Sequence, residues 1–259
     1  MSEISNDIVE SAKNVSVEVY KDAAQPIVKP IGEILGFLPR TIKLALSGWE
    51  KWLINGEESL RLTAEAIKEK AKAIPEEKLV EPEPYVAIPA VQQISYCQNS
   101  SDLREMYASL IAASMNADTK WKVHPSFVDI IKQLNPDEAR YIKKLVPNLL
   151  NFYPLIDVQL HYNGRNGYNT LVSNFTNSHI EVLEHPENIC SYIVNLERLK
   201  IIDIPPTIHL TDENIYKSLE NHKLLHIPFL DNQEGVKITY KHKCFGLTPF
   251  GLDLLRVIK

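Results

Sequence analysis

Cysteine is scarce in this chain, with Cys97, Cys190 and Cys244 its only three among 259 residues. An odd, widely spaced set excludes a disulfide framework as the basis of the fold and fits reduced thiols in a cytoplasmic setting. Glycine is sparse too, and no glycine-rich loop precedes a Lys-Ser or Lys-Thr pair. The chain lacks a Gly-x-Ser-x-Gly elbow, a His-Glu-x-x-His helix and a Cys-x-x-Cys pair. Each of those chemistries needs its groups closely placed, so the compact hydrolase, zincin and redox signatures drop out, and no cofactor is expected. Nor is there an excess of positive charge. The formal net charge is −5 and evenly spread. No third of the chain carries the basic footprint that neutralises phosphates. Long apolar runs are missing as well. The stretch from Ile27 to Leu53 is interrupted by Lys29, Glu33, Arg40, Lys43, Glu50 and Lys51, whereas a membrane-spanning helix needs about 20 mostly apolar residues. Asp7, Glu10 and Glu18 break the place where a signal peptide would carry its apolar core.

Helical periodicity is what the chain does have. Ile4, Ile8, Ala12, Val15, Val19 and Ala23 recur at spacings of three and four, which predicts an amphipathic helix ended by Pro26 and Pro30. From Pro39 a second, longer stripe runs through Ile42, Leu46, Trp49, Leu53, Leu60, Ala64, Ile67 and Ala71, with Asn55-Gly56 as a break point. A helix of that length needs a partner for its apolar face: the first helix, the rest of the chain, or a second copy. Prolines 75, 82, 84 and 89 among glutamates then predict an extended linker. The expected domains are therefore N-terminal helices over 1–80, a linker over 81–89, and one domain over 90–259.

Beyond the linker, Ser101 is the expected N-cap of a helix bearing Leu103, Met106, Leu110 and Met115. His124-Pro125-Ser126 opens another, and Asn135-Pro136 places a cap and a first-turn proline before a third. Strand patterning starts at Leu155. The segment Asn163-Gly164-Arg165-Asn166-Gly167 is a hairpin turn signal, with a returning strand over Tyr168 to Phe175. A helix follows Pro186, an alternating strand covers Gly235 to Leu247, and Thr248-Pro249 opens a last helix.

Side chains capable of chemistry form only loose groupings. His222 and His226 would share a helical face and could hold a metal, but no acidic residue lies between them and a loop before Pro228 is the simpler reading. His179, Glu181, Glu184 and His185 offer paired carboxylates, yet nothing in the pattern buries them, and a solvated turn accounts for them. The glycines of the 163–168 loop serve a turn before they serve a nucleic-acid clamp.

A more structured grouping joins Leu196-Glu197-Arg198-Leu199-Lys200-Ile201-Ile202, the basic strand Val236 to Lys243, and Leu247-Thr248-Pro249-Phe250-Gly251. A helix end, a basic strand and a helix opened by Leu-Thr-x-x-Gly resemble a winged helix-turn-helix, with Lys200 where glycine is common. The candidate nucleic-acid contacts are Lys237, Lys241 and Lys243. The helix that would enter a groove carries Glu187, Glu197 and Arg198 rather than a basic stripe, so nucleic-acid binding is the alternative rather than the leading expectation.

Three segments carry a further resemblance: Leu103 to Asn116 (Leu-Arg-Glu-Met-Tyr-Ala-Ser-Leu-Ile-Ala-Ala-Ser-Met-Asn), Val123 to Val128 (Val-His-Pro-Ser-Phe-Val), and Gln133 to Ala139 (Gln-Leu-Asn-Pro-Asp-Glu-Ala). With Leu-Thr-Pro-Phe-Gly near the C-terminus, they resemble the Abi-alpha (abortive-infection alpha) family of bacterial proteins over about residues 80–259. Tyr107 stands where many relatives have tryptophan. The resemblance implies a prokaryotic cytoplasmic protein with a role in phage defence, and it transfers no catalytic residue.

The fold class expected is α+β, mostly α. It comprises long N-terminal helices, a central helical region, and a C-terminal winged-helix-like part with short antiparallel β-hairpins. Function is expected to lie in interaction rather than catalysis. Trp49 and Trp52 would contact a protein partner, a second copy or a membrane surface, though helix-packing core is the commoner use of such tryptophans. An enzyme with a dispersed site stays open, and purified protein free of stoichiometric zinc and manganese would count against it.

Overall fold

The computed structural model describes residues 39–42, 56–94, 96–97, 99–226 and 235–259. The expected helix over residues 4–23 and the stretch carrying Trp49 and Trp52 lie outside those residues. The chain divides into two compact units, Met1–Trp121 and Lys122–Lys259.

In the first unit, helices α1 (Gly56–Ala71), α2 (Pro84–Ile94) and α3 (Ser101–Ser114) pack together. The stripe read from the sequence is the buried one in α1: Ala64, Ile67 and Ala71 are buried against α3. The cap of α3 falls one residue earlier than expected, because the Ser100 hydroxyl accepts the Leu103 N–H at 3.3 Å. The linker expectation is corrected more substantially. Residues 84–94 are helical, not extended. Pro84 occupies the first helical position, where a missing N–H has no consequence. Only Pro89 is interior, and it removes one hydrogen bond. Burial of Val86, Ala87, Ala90, Val91 and Ile94 offsets that loss. Ahead of α2, Leu79 and Asn116 form an antiparallel bridge, which ties the α1–α2 connection to the end of α3. The Glu81 carboxylate accepts the N–H groups of Arg40 and Thr41, at the start of the helical turn Arg40–Ile42.

The second unit is built on an antiparallel sheet. Helices α4 (Ser126–Lys132) and α5 (Pro136–Lys144) lead into strands β1 (Phe152–Tyr162) and β2 (Asn169–Phe175). Helix α6 (Ile189–Arg198) precedes β3 (Ile202–Asp203). Then come α7 (Glu213–Glu220), β4 (Val236–Leu247) and α8 (Pro249–Ile258). The sheet order is β2-β1-β4-β3. The hairpin turn is where the sequence put it, with Gly164 and Gly167 at φ 74° and 91°. Strands β1 and β2 pair antiparallel across that turn. The β1–β2 hairpin does not stand apart, because β4 pairs with the other edge of β1, from Phe152 opposite Gly246 to Tyr162 opposite Val236. One continuous sheet results because β1 is buried on both faces through its middle: Ile156, Val158 and Leu160 on one side, Leu155 and Asp157 on the other. Helix α7, which the sequence reading did not identify, packs on β1.

The end of α6 shows why a lysine stands at a glycine position. The Ile201 N–H reaches the Leu196 carbonyl at 3.0 Å, and the Lys200 N–H reaches that of Glu197 at 2.9 Å. This pair of bonds is a Schellman closure, which requires a left-handed residue, and Lys200 supplies it at φ 58°. A side chain there costs about 1 kcal/mol relative to glycine. The cost is offset by burial of Leu196 and Ile201, the two residues whose backbones the closure joins.

Candidate functional site

Two of the segments singled out by the sequence, Val123 to Val128 and the C-terminal Leu-Thr-Pro-Phe-Gly, meet in the second unit. His124 and Phe127 of the former contact Phe250 of the latter: the His124 and Phe250 ring centroids are 5.6 Å apart, and those of Phe127 and Phe250 are 5.1 Å apart. His124 Nδ1 also accepts the Ser126 N–H at 3.2 Å, closing the start of α4. Thr248 caps α8 by accepting the Gly251 N–H at 2.8 Å, while its own hydroxyl donates to the Lys200 carbonyl at 2.5 Å. Gly251 then presses on backbone: a Cβ there would lie 1.9 Å from the Ile201 carbonyl oxygen.

Asn135-Pro136-Asp137-Glu138 does two jobs. Locally it forms a capping box, in which Asn135 Oδ1 accepts the Glu138 N–H and Glu138 Oε2 accepts the Asn135 N–H, both at 2.8 Å. At long range, Asp137 is a buried hub. It accepts the N–H groups of Glu184 and His185 at 2.8 and 2.9 Å, the Tyr192 hydroxyl at 3.0 Å, and the Arg140 guanidinium at 2.7 Å. Burial alone would raise its pKa. The Arg140 hydrogen bond and the other three donors outweigh burial and hold the carboxyl at about 2. For Glu138 burial dominates and raises the pKa, even though the side chain also accepts from Asn195 Nδ2 at 2.8 Å. Asn195 in turn accepts from Arg198, whose guanidinium also donates to Gln133 Oε1 at 3.0 Å. The one arginine on the face of α6 that would enter a groove is therefore engaged within the protein.

The grouping around His179, Glu181, Glu184 and His185 is the partner surface of Asp137. Its backbone amides do the binding, and the side chains of Glu181, Glu184 and His185 are exposed. His222 and His226 flank a single 3₁₀ turn, where His222 Nδ1 accepts the Leu224 N–H at 3.3 Å. They share no helical face, and among the described residues no three His, Cys, Asp or Glu groups are placed to hold a metal.

Lys237, Lys241 and Lys243 lie on one face of β4, as their even spacing requires. They differ in situation. Lys237 and Lys241 are exposed. Lys243 is largely buried and reaches diagonally across the ladder to Asp157, at 3.1 and 3.2 Å, and to the Asn174 side chain. Asp157 also accepts the Asn174 N–H at 2.9 Å. It thereby satisfies the backbone where the β1–β2 register shifts and Asn174 turns to φ 58°. Lys243 is thus a sheet-locking residue. On the opposite face, His242 stacks on Tyr216 at 4.0 Å and lies 2.7 Å from Glu220, fastening α7 to the sheet. Sequence reasoning missed Asp137 and Asp157. The only local signal for Asp137 was its place after Asn-Pro, and Asp157 had none beyond being a charge inside an apolar strand.

These features define an α+β protein whose marked residues build the fold: caps, a carboxylate hub and a ring cluster. The chain belongs to the abortive infection alpha family, whose model matches residues 55–258. No curated protein and no solved structure matches it. Among the described residues no helix is long and apolar enough to cross a membrane.

Proposed function

We propose that this protein is a prokaryotic, cytoplasmic phage-defence factor of the abortive-infection type, acting through protein or membrane-surface contacts rather than catalysis. One observation carries the reading. The carboxylates of the family segment Gln133 to Ala139, Asp137 and Glu138, are buried and engage backbone amides and neighbouring side chains of the fold. A general acid, base or nucleophile needs a polar atom presented to substrate. The contacting elements are then the N-terminal stripe with Trp49 and Trp52, meeting a partner or a second copy. Bacteria expressing the protein should resist phage, and Trp49→Ser with Trp52→Ser in the full chain should abolish both resistance and any self-association seen by light scattering. Full resistance in that variant contradicts the reading.

A second reading, a winged-helix nucleic-acid module with Lys237 and Lys241 on its strand, draws support from the order α6, β3, α7, β4, α8, in which β3 and β4 pair antiparallel and α7 is inserted between them. In this reading duplex DNA binding falls steeply between 50 and 200 mM salt, as counterion release requires, and Lys237→Gln with Lys241→Gln flattens the dependence by about two ions. No binding at low salt, or binding indifferent to salt, removes it.

A further inference from the structure

The connection between α5 and β1 presents its apolar side chains to solvent. Leu150 is 85 % exposed, Val146 48 %, Leu149 39 % and Phe152 37 %. Four neighbouring apolar groups on one loop depart from the scattered single exposures of an ordinary surface. Several backbone N–H groups beneath them have partners within the loop and β1. The Val146 N–H donates to the Tyr153 hydroxyl at 2.8 Å, and the Leu150 N–H donates to Asn148 Oδ1 at 2.9 Å. The Asn148 and Asn151 N–H groups find the carbonyls of Val146 and Asn148, at 2.7 and 3.2 Å. Pro147 has no N–H to satisfy. A loop leaving water must carry its backbone partners with it, since unpaired amides are costly in an apolar medium.

The charge around this loop is one-sided. From Ala139 to Ile156 there is no acidic residue, although the whole chain is net negative. Lys143 and Lys144 close α5 immediately before the loop. The Lys259 ammonium, at the end of α8, donates to the Leu145 carbonyl at 2.7 Å. Of the two exposed acidic side chains on the turn packed against α5, Glu181 and Glu184, the second pairs with Arg140 at 3.0 Å.

We infer that the 146–152 loop is a membrane-surface anchor. Leu149 and Leu150 enter the interfacial layer of an anionic bilayer, while the exposed Lys144 meets the lipid headgroups. This rests on the surface-contact reading above, and it adds a lipid contact on the sheet-containing unit to the protein contact at Trp49 and Trp52.

Co-sedimentation of the full chain with vesicles of phosphatidylcholine and phosphatidylglycerol in equal parts tests it. The wild-type protein binds, binding weakens with added salt, and vesicles of phosphatidylcholine alone bind far less. Leu149→Ser with Leu150→Ser lowers the partition coefficient about ten-fold or more. Lys144→Gln lowers it about five-fold. Because these side chains are exposed, unchanged unfolding curves for the variants separate lost binding from lost folding. Wild-type binding by the double leucine variant overturns the assignment. If only Trp49→Ser with Trp52→Ser loses binding, the loop assignment falls and the membrane-surface reading stands. If the wild-type chain binds neither vesicle, both fall. A dimer that Leu150→Ser dissociates, without vesicle binding, overturns the lipid assignment in favour of a second copy.

Discussion

Gly251→Ala is expected to be the most damaging single-methyl change in the second unit. Gly251 lies in the first turn of α8, in ordinary helical backbone, so its conformation does not call for glycine. Space does. A Cβ would sit 1.9 Å from the Ile201 carbonyl oxygen and 2.7 Å from its carbon. Both are backbone atoms, fixed by the Schellman closure of α6 and by the Thr248 N–H bond to the same Ile201 carbonyl at 3.1 Å. No side chain can rotate away. Either α8 lifts off β3 and the end of α6, or the closure opens. Overpacking against fixed atoms places the loss at about 3 kcal/mol or more. Thermal unfolding followed by circular dichroism should show a drop in Tm of about 10 °C. A Tm within 2 °C of wild type, taking about 2 °C as the shift of under 1 kcal/mol, would mean that α8 docks with more freedom than this contact implies.

Asp137→Ala is expected to be comparably severe, by a different mechanism and with a pH signature. The substitution leaves the Glu184 and His185 amides, the Tyr192 hydroxyl and the Arg140 guanidinium without their shared acceptor. Stranding one side of a buried charged network costs about 3 kcal/mol. The carboxyl is held near 2 in the folded protein, against an ordinary value of 3.8. A depressed folded-state pKa stabilises fully above the unfolded value, and that stabilisation is lost as pH falls through the folded value. Asp137 should therefore contribute about 2 kcal/mol at neutral pH that disappears between roughly pH 4 and pH 2. Urea unfolding across that range should show a pH-dependent loss in the wild-type protein that is flatter in Asp137→Ala. Parallel curves would show that Asp137 is not a principal acid-sensitive group of this fold.

Both residues were visible in the sequence as parts of motifs, and in neither case was the reason visible. Asn135-Pro136 and Thr248-Pro249 announced helix starts, and both caps are formed. Capping is a contact between residues three apart, so the sequence carries it whole. The same holds for the Gly164 and Gly167 turn and for the stripe of α1, whose periods are set by backbone geometry alone. Helix α2 shows where local rules yield. Its prolines argued for an extended segment, but a contiguous uncharged run had more to gain by burying one face against α3.

The sequence by itself determined the elements that rest on near neighbours: the caps of α5 and α8, the hairpin turn, the extent of β4, and the family to which these segments point. Tertiary structure alone decided what those elements hold together. It placed β4 along β1, so that Lys243, which reads as a phosphate contact, is locked onto Asp157. It brought the amides of Glu184 and His185 to Asp137, and the Ile201 carbonyl to Gly251. Those partners lie dozens of residues apart, and their meeting depends on the order of strands in the sheet. No local period or propensity encodes that order, because a side chain's reach along the chain ends within about one helical turn.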